Sequence, residues 1–595
     1  MKRISRRLRI AAAAGAGLAG AFALAWVAFP FPAAKLALYP EATVLLDREG
    51  RAMRVRLGAD DSDCRPHYEP RADDWICKAI VAVEDRRFRS HPGVDPLAIA
   101  RAFGDNLGHG RVRSGASTIS TQVIRLLEPR PRTLATKVVE AFRALQMERI
   151  LGKDEILAQY LNRAPFGGNA VGVESASRRY FGKSAHDLSL AEAALLAGLP
   201  QSPTRLRPDR HAARARRRQA HVLERMEVCG VIDGAQRAAA LAQPLAIRPA
   251  AYPFRAPHFA ELALAAAPGG GARRTTLDPV LQASVEDALR RHAAPLKAAG
   301  IHGAAAVVIE VRTGAVRALA GSPDYGDTAN AGQVNGASSP RSAGSTLKPF
   351  AFALAIDQGR LTPGRVLADV PRSYAGLDPR NFDDEWMGLV SARDALVLSL
   401  NLPALGVAAE TGIDPLLRML RTAGLDTLDR DAAHYGLGLV LGNGSVTLLD
   451  LANAYAAIAR GGEWRPCRWF EDAPPGAPRR VMSAEAAWMI ADMLGGEERS
   501  VDTVRHTADA RLPRMAWKTG TSSGFRDAWA VAINPEYAIG VWCGRPDGRG
   551  APQLVGAKSA VPVVWEIFRG LYPANDGPWL DRKSTRLNSS HVSQS

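Results

Sequence analysis

Apolar residues recur at helical spacing through the stretch from Trp75 to about Pro208. The segments "WICKAIVAVED", "KVVEAFRALQMERIL", "KDEILAQYLN" and "SLAEAALLAGLP" place them three and four positions apart, the period of a helix that buries one face. A mainly helical domain is therefore predicted over 75–208. "RHAARARRRQAHVLERM" then reads as a basic helix and "APGGGARR" as a glycine-rich break, so 209–273 is expected to be a linker. Beyond it the period changes. "AAAVVIEVRTGAVRALAG" gives two apolar runs joined at Thr313 and Gly314, a hairpin signal. Helix-like "PFAFALAIDQ" and strand-like "AWAVAINPEYAIGVWCG" follow, which predicts an α/β domain over 274–580.

The chain ends read differently. "MKRISRRLRI" carries five basic residues, and Ile10–Phe29 then runs without a charge for long enough to span a bilayer core. Basic residues ahead of such a span place 1–9 in the cytoplasm and the bulk of the chain outside. Residues 10–29 are thus expected to be a transmembrane anchor; the alternative is a cleaved signal, whose apolar region is usually shorter. In 30–74, "TVLLDREGRAMRVRL" suggests two strands around an Asp-Arg-Glu-Gly turn close to the membrane. Residues 581–595 are polar and without period, and read as a non-native tail.

Composition narrows the partners. Among 595 residues, 76 Lys and Arg against 60 Asp and Glu give a charge of +16, which favours an anionic partner or surface. Zinc-finger spacings and basic motifs interleaved with aromatics are missing from the sequence, so no nucleic-acid partner is expected. The five cysteines are scattered, with no Cys-x-x-Cys pair. Cys64 and Cys77 could pair in an oxidising compartment, but isolated buried thiols are expected.

Candidate chemistry comes from ordered motifs. In "RSAGSTLKPF", Ser345 and Lys348 share a face if a helix starts near Ser345, and Pro349 fits a first turn. A lysine of lowered pKa beside a serine is a base for a serine nucleophile. "SLN" at Ser399–Asn401 and "KTGTS" at Lys518–Ser522 follow in order. The trio resembles the signature of penicillin-binding proteins and serine β-lactamases, with Leu400 where Asp stands in the latter. The resemblance implies that Ser345 attacks a D-Ala-D-Ala carbonyl and Lys348 takes its proton. It further implies that Ser399 and Asn401 shuttle protons and bind peptide, that Lys518 and Thr519 bind the terminal carboxylate, and that the amides of Ser345 and Thr521 form the oxyanion hole. Gly520 would let a substrate backbone approach.

The helical region carries "EDRRFRSHPGVD" from Glu84, "GASTISTQ" over 115–122, "KVVE" over 137–140 and "KDEILAQYLN" over 153–162. In this order they resemble the peptidoglycan glycosyltransferase half of bifunctional, class A penicillin-binding proteins, and further residues resemble the 1C subgroup. The fold implied is multidomain: a mainly α, lysozyme-like glycosyltransferase domain, then an α/β penicillin-recognising serine transpeptidase domain. The activity implied is polymerisation of lipid II with inversion and cross-linking of stem peptides. Alternatives are a serine β-lactamase or carboxypeptidase, or a non-catalytic cell-wall binding or β-lactam-sensing protein. By the resemblance Glu84 is the base, Asp85 its substrate-contacting neighbour and Glu140 the second carboxylate, whose ordinary partner would be Lys137 or Arg143. Ser117, Thr118 and Gln122 would line the donor cleft, with Thr121 standing where most of the family has Gln and Ala158 where a Glu is common. Lys137, nearby arginines or a divalent cation (Mg or Mn) would face the pyrophosphate; no metal ligands and no required cofactor are assigned. His91 is expected to be structural. Partners implied are lipid II and nascent peptidoglycan, the bacterial inner membrane, other cell-wall synthesis proteins, and β-lactams as covalent inhibitors.

Overall fold

The computed structural model describes residues 17, 20–58, 60–65, 68–109, 117–247, 251–266, 269–374, 379–496, 514–574 and 577–579. They divide into two compact units, one from 1–44, 55–252 and 269–271, the other from 45–54, 253–268 and 272–595. Residues 1–9 and 581–595 lie outside the described residues, as do 10–16, 18 and 19 of the expected anchor. Among the described residues no helix is long and apolar enough to cross a membrane.

The first unit is helical. Helix α1 (Trp75–Glu84) buries Ile76, Cys77, Ala79, Ile80 and Ala82, the stripe that its apolar spacing predicts. Helix α2 (Ile119–Leu127) opens with a reciprocal Thr118/Thr121 capping box, and α3 (Leu134–Met147) opens on a Thr133 cap. The expected linker is in large part not one. Helix α4 (Ala212–Val228) buries Ala215, Gln219, Val222, Leu223 and Met226, and the last three join the same core as α1. The apolar stripe is present in "QAHVLERM" but is outnumbered by the arginines on the other faces. Pro257–Ala266 is also helical and packs Phe259, Ala260 and Ala263 into the core of the second unit.

The second unit is built on a five-stranded antiparallel sheet. Strands β1 (Gly303–Glu310) and β2 (Val316–Ala320) form the expected hairpin, turning at Gly314 with φ +73°. A smaller antiparallel pair, β3 (Val366–Asp369) and β4 (Gly388–Ser391), lies apart from the sheet and sets Asp369 opposite Gly388. Strands β5 (Ala516–Thr521), β6 (Asp527–Ile533) and β7 (Tyr537–Gly544) complete the main sheet in the order β5-β6-β7-β1-β2. Helices Pro279–Ala298 and Val561–Leu571 contribute Val285, Leu289, Val564 and Phe568 to a core with one set of strand residues. Helices α5 (Lys348–Asp357) and α6 (Asn401–Thr411), with Leu448–Ala459, build the other core. Burial on both faces explains why the strand sequences run apolar without alternation. The five cysteines are free thiols, with Cys64, Cys77 and Cys543 buried.

The Asp-Arg-Glu-Gly turn forms as expected between strands Thr43–Leu46 and Ala52–Arg56. Asp47 closes it, accepting from the N–H groups of Glu49 and Arg51 and from the Arg51 side chain.

Candidate active sites

In the first unit, Glu84 ends α1 and is half-buried. It accepts a 2.8 Å hydrogen bond from Gln122 Nε2 on α2. One turn further along α2, Arg125 donates from Nε and Nη2 to the two oxygens of Glu140 on α3, at 2.8 Å each. Side chains three apart on a helix are neighbours, so one face of α2 braces both carboxylates. The partner of Glu140 is thus Arg125 and neither Lys137 nor Arg143. The planar guanidinium fork matches a carboxylate better than a lysine one turn away, and it is held charged by that hydrogen bond. Arg143 instead donates to the carbonyls of Phe29 and Pro30, and Lys137 stands exposed on α3. Sequence reasoning missed Arg125 because only its own helix period was visible; its partner lies 15 residues away.

Asp85, buried, is engaged by protein donors: His91 Nε2 at 3.1 and 3.0 Å, and Ile119 N at 3.0 Å. Because His91 Nδ1 accepts from Gly93 N, its ring proton sits on Nε2 and is donated to Asp85. Asp85 therefore fastens the loop after Glu84 to the start of α2, where the resemblance implied a substrate contact. Thr118 is likewise a cap: it is 2% exposed, donates to Gly93 O at 2.6 Å and accepts from Thr121 N. Thr121 returns the bond by accepting from Thr118 N, a task for a short hydroxyl side chain at this departure from the family pattern. Ser117 is exposed. From α4, Arg218 is a second missed cation: burial pushes its guanidinium down and the charge of Glu84 pushes it back up. Among the described residues no three His, Cys, Asp or Glu side chains stand together as a metal cage, and Glu140 is already taken by Arg125.

The second unit has a cleft of about 410 Å³ lined by Ser345, Ser399, Asn401, Thr519, Gly520 and Thr521 among others, so the three motifs are brought together. Ser345 lies in a 3-10 turn, Gly344–Leu347, that runs into α5 at Lys348. The expected helix start is thus a tighter turn, in which positions i and i+3 eclipse, and Ser345 and Lys348 stay on one side. Gly344 adopts φ +53°, and a side chain there would meet the Thr521 backbone at 2.7–2.9 Å. A Cβ on Gly520 would in turn strike Ala343 O at 2.7 Å. The close approach that Gly520 permits is therefore that of the protein's own serine turn onto β5.

Lys348 is 0% exposed. It donates to Ser399 O at 2.6 Å, Asn401 Oδ1 at 2.7 Å and, at 3.2 Å, Leu400 O, with Ser399 Oγ at 3.5 Å. Burial pulls its pKa down to about 7, opposed by the negative charge of Asp369. Lys518, also 0% exposed, donates to Ser399 Oγ at 2.7 Å and to Thr519 O. Ser399 therefore stands between two lysines. Its backbone has φ +62°, a left-handed conformation uncommon outside glycine, which ends the helix Ala392–Val397 and aims the Ser399 carbonyl at Lys348. Nothing in "LSLN" signals that conformation.

A transglycosylase family model matches residues 68–227, and the model of the penicillin binding protein transpeptidase domain matches residues 304–561. Penicillin-binding protein 1C of Escherichia coli is 42% identical over 493 residues, 82% of this chain and 63% of that protein. Penicillin-binding protein 1B of Vibrio cholerae is 29% identical over 585 residues, 91% of this chain and 72% of that protein. The chain thus spans 63% of the length of the Escherichia coli relative. The crystal structure of penicillin-binding protein 1A from Haemophilus influenzae superposes with a TM-score of 0.59 at 20% identity, covering 91% of this chain and 93% of that one, a likeness of fold. A glycosyltransferase domain and a transpeptidase domain, matched in that order on one chain, mark it as belonging to the class A penicillin-binding proteins.

Proposed function

We propose that the chain is a bifunctional peptidoglycan synthase that polymerises lipid II and cross-links stem peptides. The observation that carries this is Lys348, buried without exposure one turn from Ser345 and held against Ser399 and Asn401. A lysine in this setting accepts a proton near neutral pH, which a serine nucleophile requires. Ser345 Oγ attacks the penultimate D-Ala carbonyl while its proton passes to Lys348. The C–N bond then breaks, the departing D-Ala amine takes a proton back through Ser399, and an acceptor amine later displaces the serine ester. Lys518 lies beneath the cleft on Ser399 Oγ, placed to draw a substrate carboxylate and to keep Ser399 oriented.

In the first unit, Glu84 takes the proton of the acceptor sugar hydroxyl as it attacks the anomeric carbon opposite the departing lipid pyrophosphate, which inverts that centre. Gln122 sets the orientation of the Glu84 carboxylate. Arg218 and the exposed Lys137 supply the positive charge that a leaving pyrophosphate needs, while Arg125 is engaged on Glu140.

Attachment to the bacterial inner membrane through 10–29, with the catalytic units outside the cytoplasm, belongs to the same proposal. The charge-free run after five basic residues supports it. So does the exposed stripe of Leu134 and Val138 on α3, which continues to Phe142, where Phe22 and Trp26 pack edge-on at 5.5 and 5.7 Å. Nascent peptidoglycan, other cell-wall synthesis proteins and β-lactams are the remaining partners proposed. The test is to supply purified full-length protein with lipid II. Muramidase-sensitive glycan and cross-linked muropeptides are expected, and failure to form glycan would refute the glycosyltransferase assignment.

A further inference from the structure

At the wall of the transpeptidase cleft, which Asn381 helps to line, lies a polar pair that none of the three motifs includes. Asp369, at the end of β3, is 0% exposed, and Asn381 is 5% exposed. Asn381 Nδ2 donates to both oxygens of Asp369, at 2.9 and 3.0 Å, and to Glu385 O at 2.8 Å. Its Oδ1 accepts from Asn401 N at 2.8 Å. This orientation of the amide is fixed, because the flipped form would set oxygen against carboxylate and N–H against N–H. Asp369 receives a further bond from Met387 N at 2.9 Å, so protein donors alone hold a buried charge. The neighbouring Arg380 carbonyl accepts from Asn401 Nδ2 at 2.6 Å. Residues 380 and 381 therefore clamp both the backbone and the side chain of Asn401, and Asn401 Oδ1 is what Lys348 holds.

We propose that Asp369 and Asn381 are positioning residues for acylation: they fix Asn401, and through it Lys348, with the buried Asp369 carboxylate as the charge that balances the lysine. The proposal rests on the role given above to Ser345 and Lys348. Burying an ionised carboxylate costs free energy unless it is paired and hydrogen-bonded. Here the hydrogen bonds from Asn381 and Met387 N, and the lysine faced through the two amides, offset that cost.

The charges around Lys348 are few. Asp369 lies behind Asn381, and Lys518 stands across Ser399 Oγ. Of the helices packed on α5, α6 carries Glu410, paired with Arg365, Ala392–Val397 carries Arg393 and Asp394, the latter accepting from Ser391, and Ala484–Leu494 carries Glu485 and Asp492, the latter paired with Arg393. Ile413–Thr422 carries Asp414, Arg418 and Arg421, the last donating to the carbonyls of Leu428 and Arg430. Among the described residues, Asp369 is the group that opposes the effect of burial on Lys348.

The experiment follows acylation of the full chain by a fluorescent penicillin from pH 5 to 9, with melting curves to identify folded variants. Removing the negative charge disfavours protonated Lys348. Asp369→Asn should thus move the acid limb of the rate to lower pH by about half a unit or more while lowering the plateau. Asp369→Glu, which keeps the charge, should leave the limb within about 0.2 units of wild type. Asn381→Ser should cut the plateau by at least about tenfold with the limb in place, because the charge remains and the clamp is gone. An unmoved limb in folded Asp369→Asn, or an equal shift in Asp369→Glu, overturns the proposal. If Asp369→Asn does not fold, a wild-type plateau in Asn381→Ser overturns it. Absence of labelling in the wild type would instead count against the acylation assignment itself.

Discussion

Lys348 as a neutral-pH base makes a quantitative demand on the acylation rate. An ordinary lysine at pH 7 is unprotonated in roughly one molecule in three thousand. With its pKa brought to about 7 by burial, about half of Lys348 is ready to accept the proton of Ser345, a gain of roughly three orders of magnitude in competent enzyme. Burial is what sustains that state, with Lys348 closed in against Ser399 O and Asn401 Oδ1. The rate of acylation by a penicillin, measured by stopped flow, should therefore rise about tenfold per pH unit below 7 and level off above it, reaching about 1% of the plateau at pH 5. Lys348→Arg, charged at every accessible pH, should lose about a thousandfold or more.

A limb centred above pH 9, or a flat profile, would refute the reasoning. Kinetics is the proper readout. Over the window from pH 7 to 10.5 the unfolded chain binds one more proton at this lysine than the folded chain, so its contribution to stability rises with pH. Four of the thiols act in the opposite sense. Cys64, Cys467 and Cys543 are pushed up to about 12 and Cys77 to about 11, so above their ordinary values the folded chain holds protons that the unfolded chain has lost. A melting curve would sum the two effects.

Glu84→Gln keeps the size of the side chain and its contact with Gln122 but removes its basicity, so glycan polymerisation should fall by about 100-fold or more; near-normal polymer length and yield on gels would sink that assignment. Ser345→Ala should abolish penicillin labelling and cross-linking while leaving polymerisation intact, since glycosyl transfer needs no serine nucleophile; persistent labelling would show that the nucleophile lies elsewhere. Asp85→Asn weakens the charge-assisted bonds to His91 and Ile119 N and should cost about 1.5–3 kcal/mol of stability, seen as a melting point several degrees lower; an unchanged melting point would mean that Asp85 does not fasten the start of α2.

What could be read in the sequence was what repeats over short range. The stripe of α1 and the hairpin β1–β2 came from apolar period, and Ser345 with Lys348 came from a one-turn spacing that survives in a 3-10 turn. What could not be read depends on partners distant in the chain. Arg125 stands 15 residues from Glu140, and α4, legible as a basic helix, hides its buried face because arginines outnumber the three residues it sends into the core. For Thr118 and Asp85 the resemblance implies ligand contacts, because a motif specifies residue types without saying which way each faces. In the structure they close a cap and fasten a loop.

The same distinction separates the motif residues of the proposed site from those that hold them. Ser345, Lys348, Ser399 and Lys518 lie in short motifs because each must present one functional group at one point. The geometry between them is set elsewhere: by the left-handed turn at Ser399, by a bare Gly344 against Thr521, and by Asn381, which ties Asn401 to a buried carboxylate. A motif can therefore be intact in a chain whose site is not. Loss of the Asn381 clamp would leave every signature residue in place and still displace the acceptor that Lys348 holds, so the residues between the motifs bear on activity as directly as the motifs do.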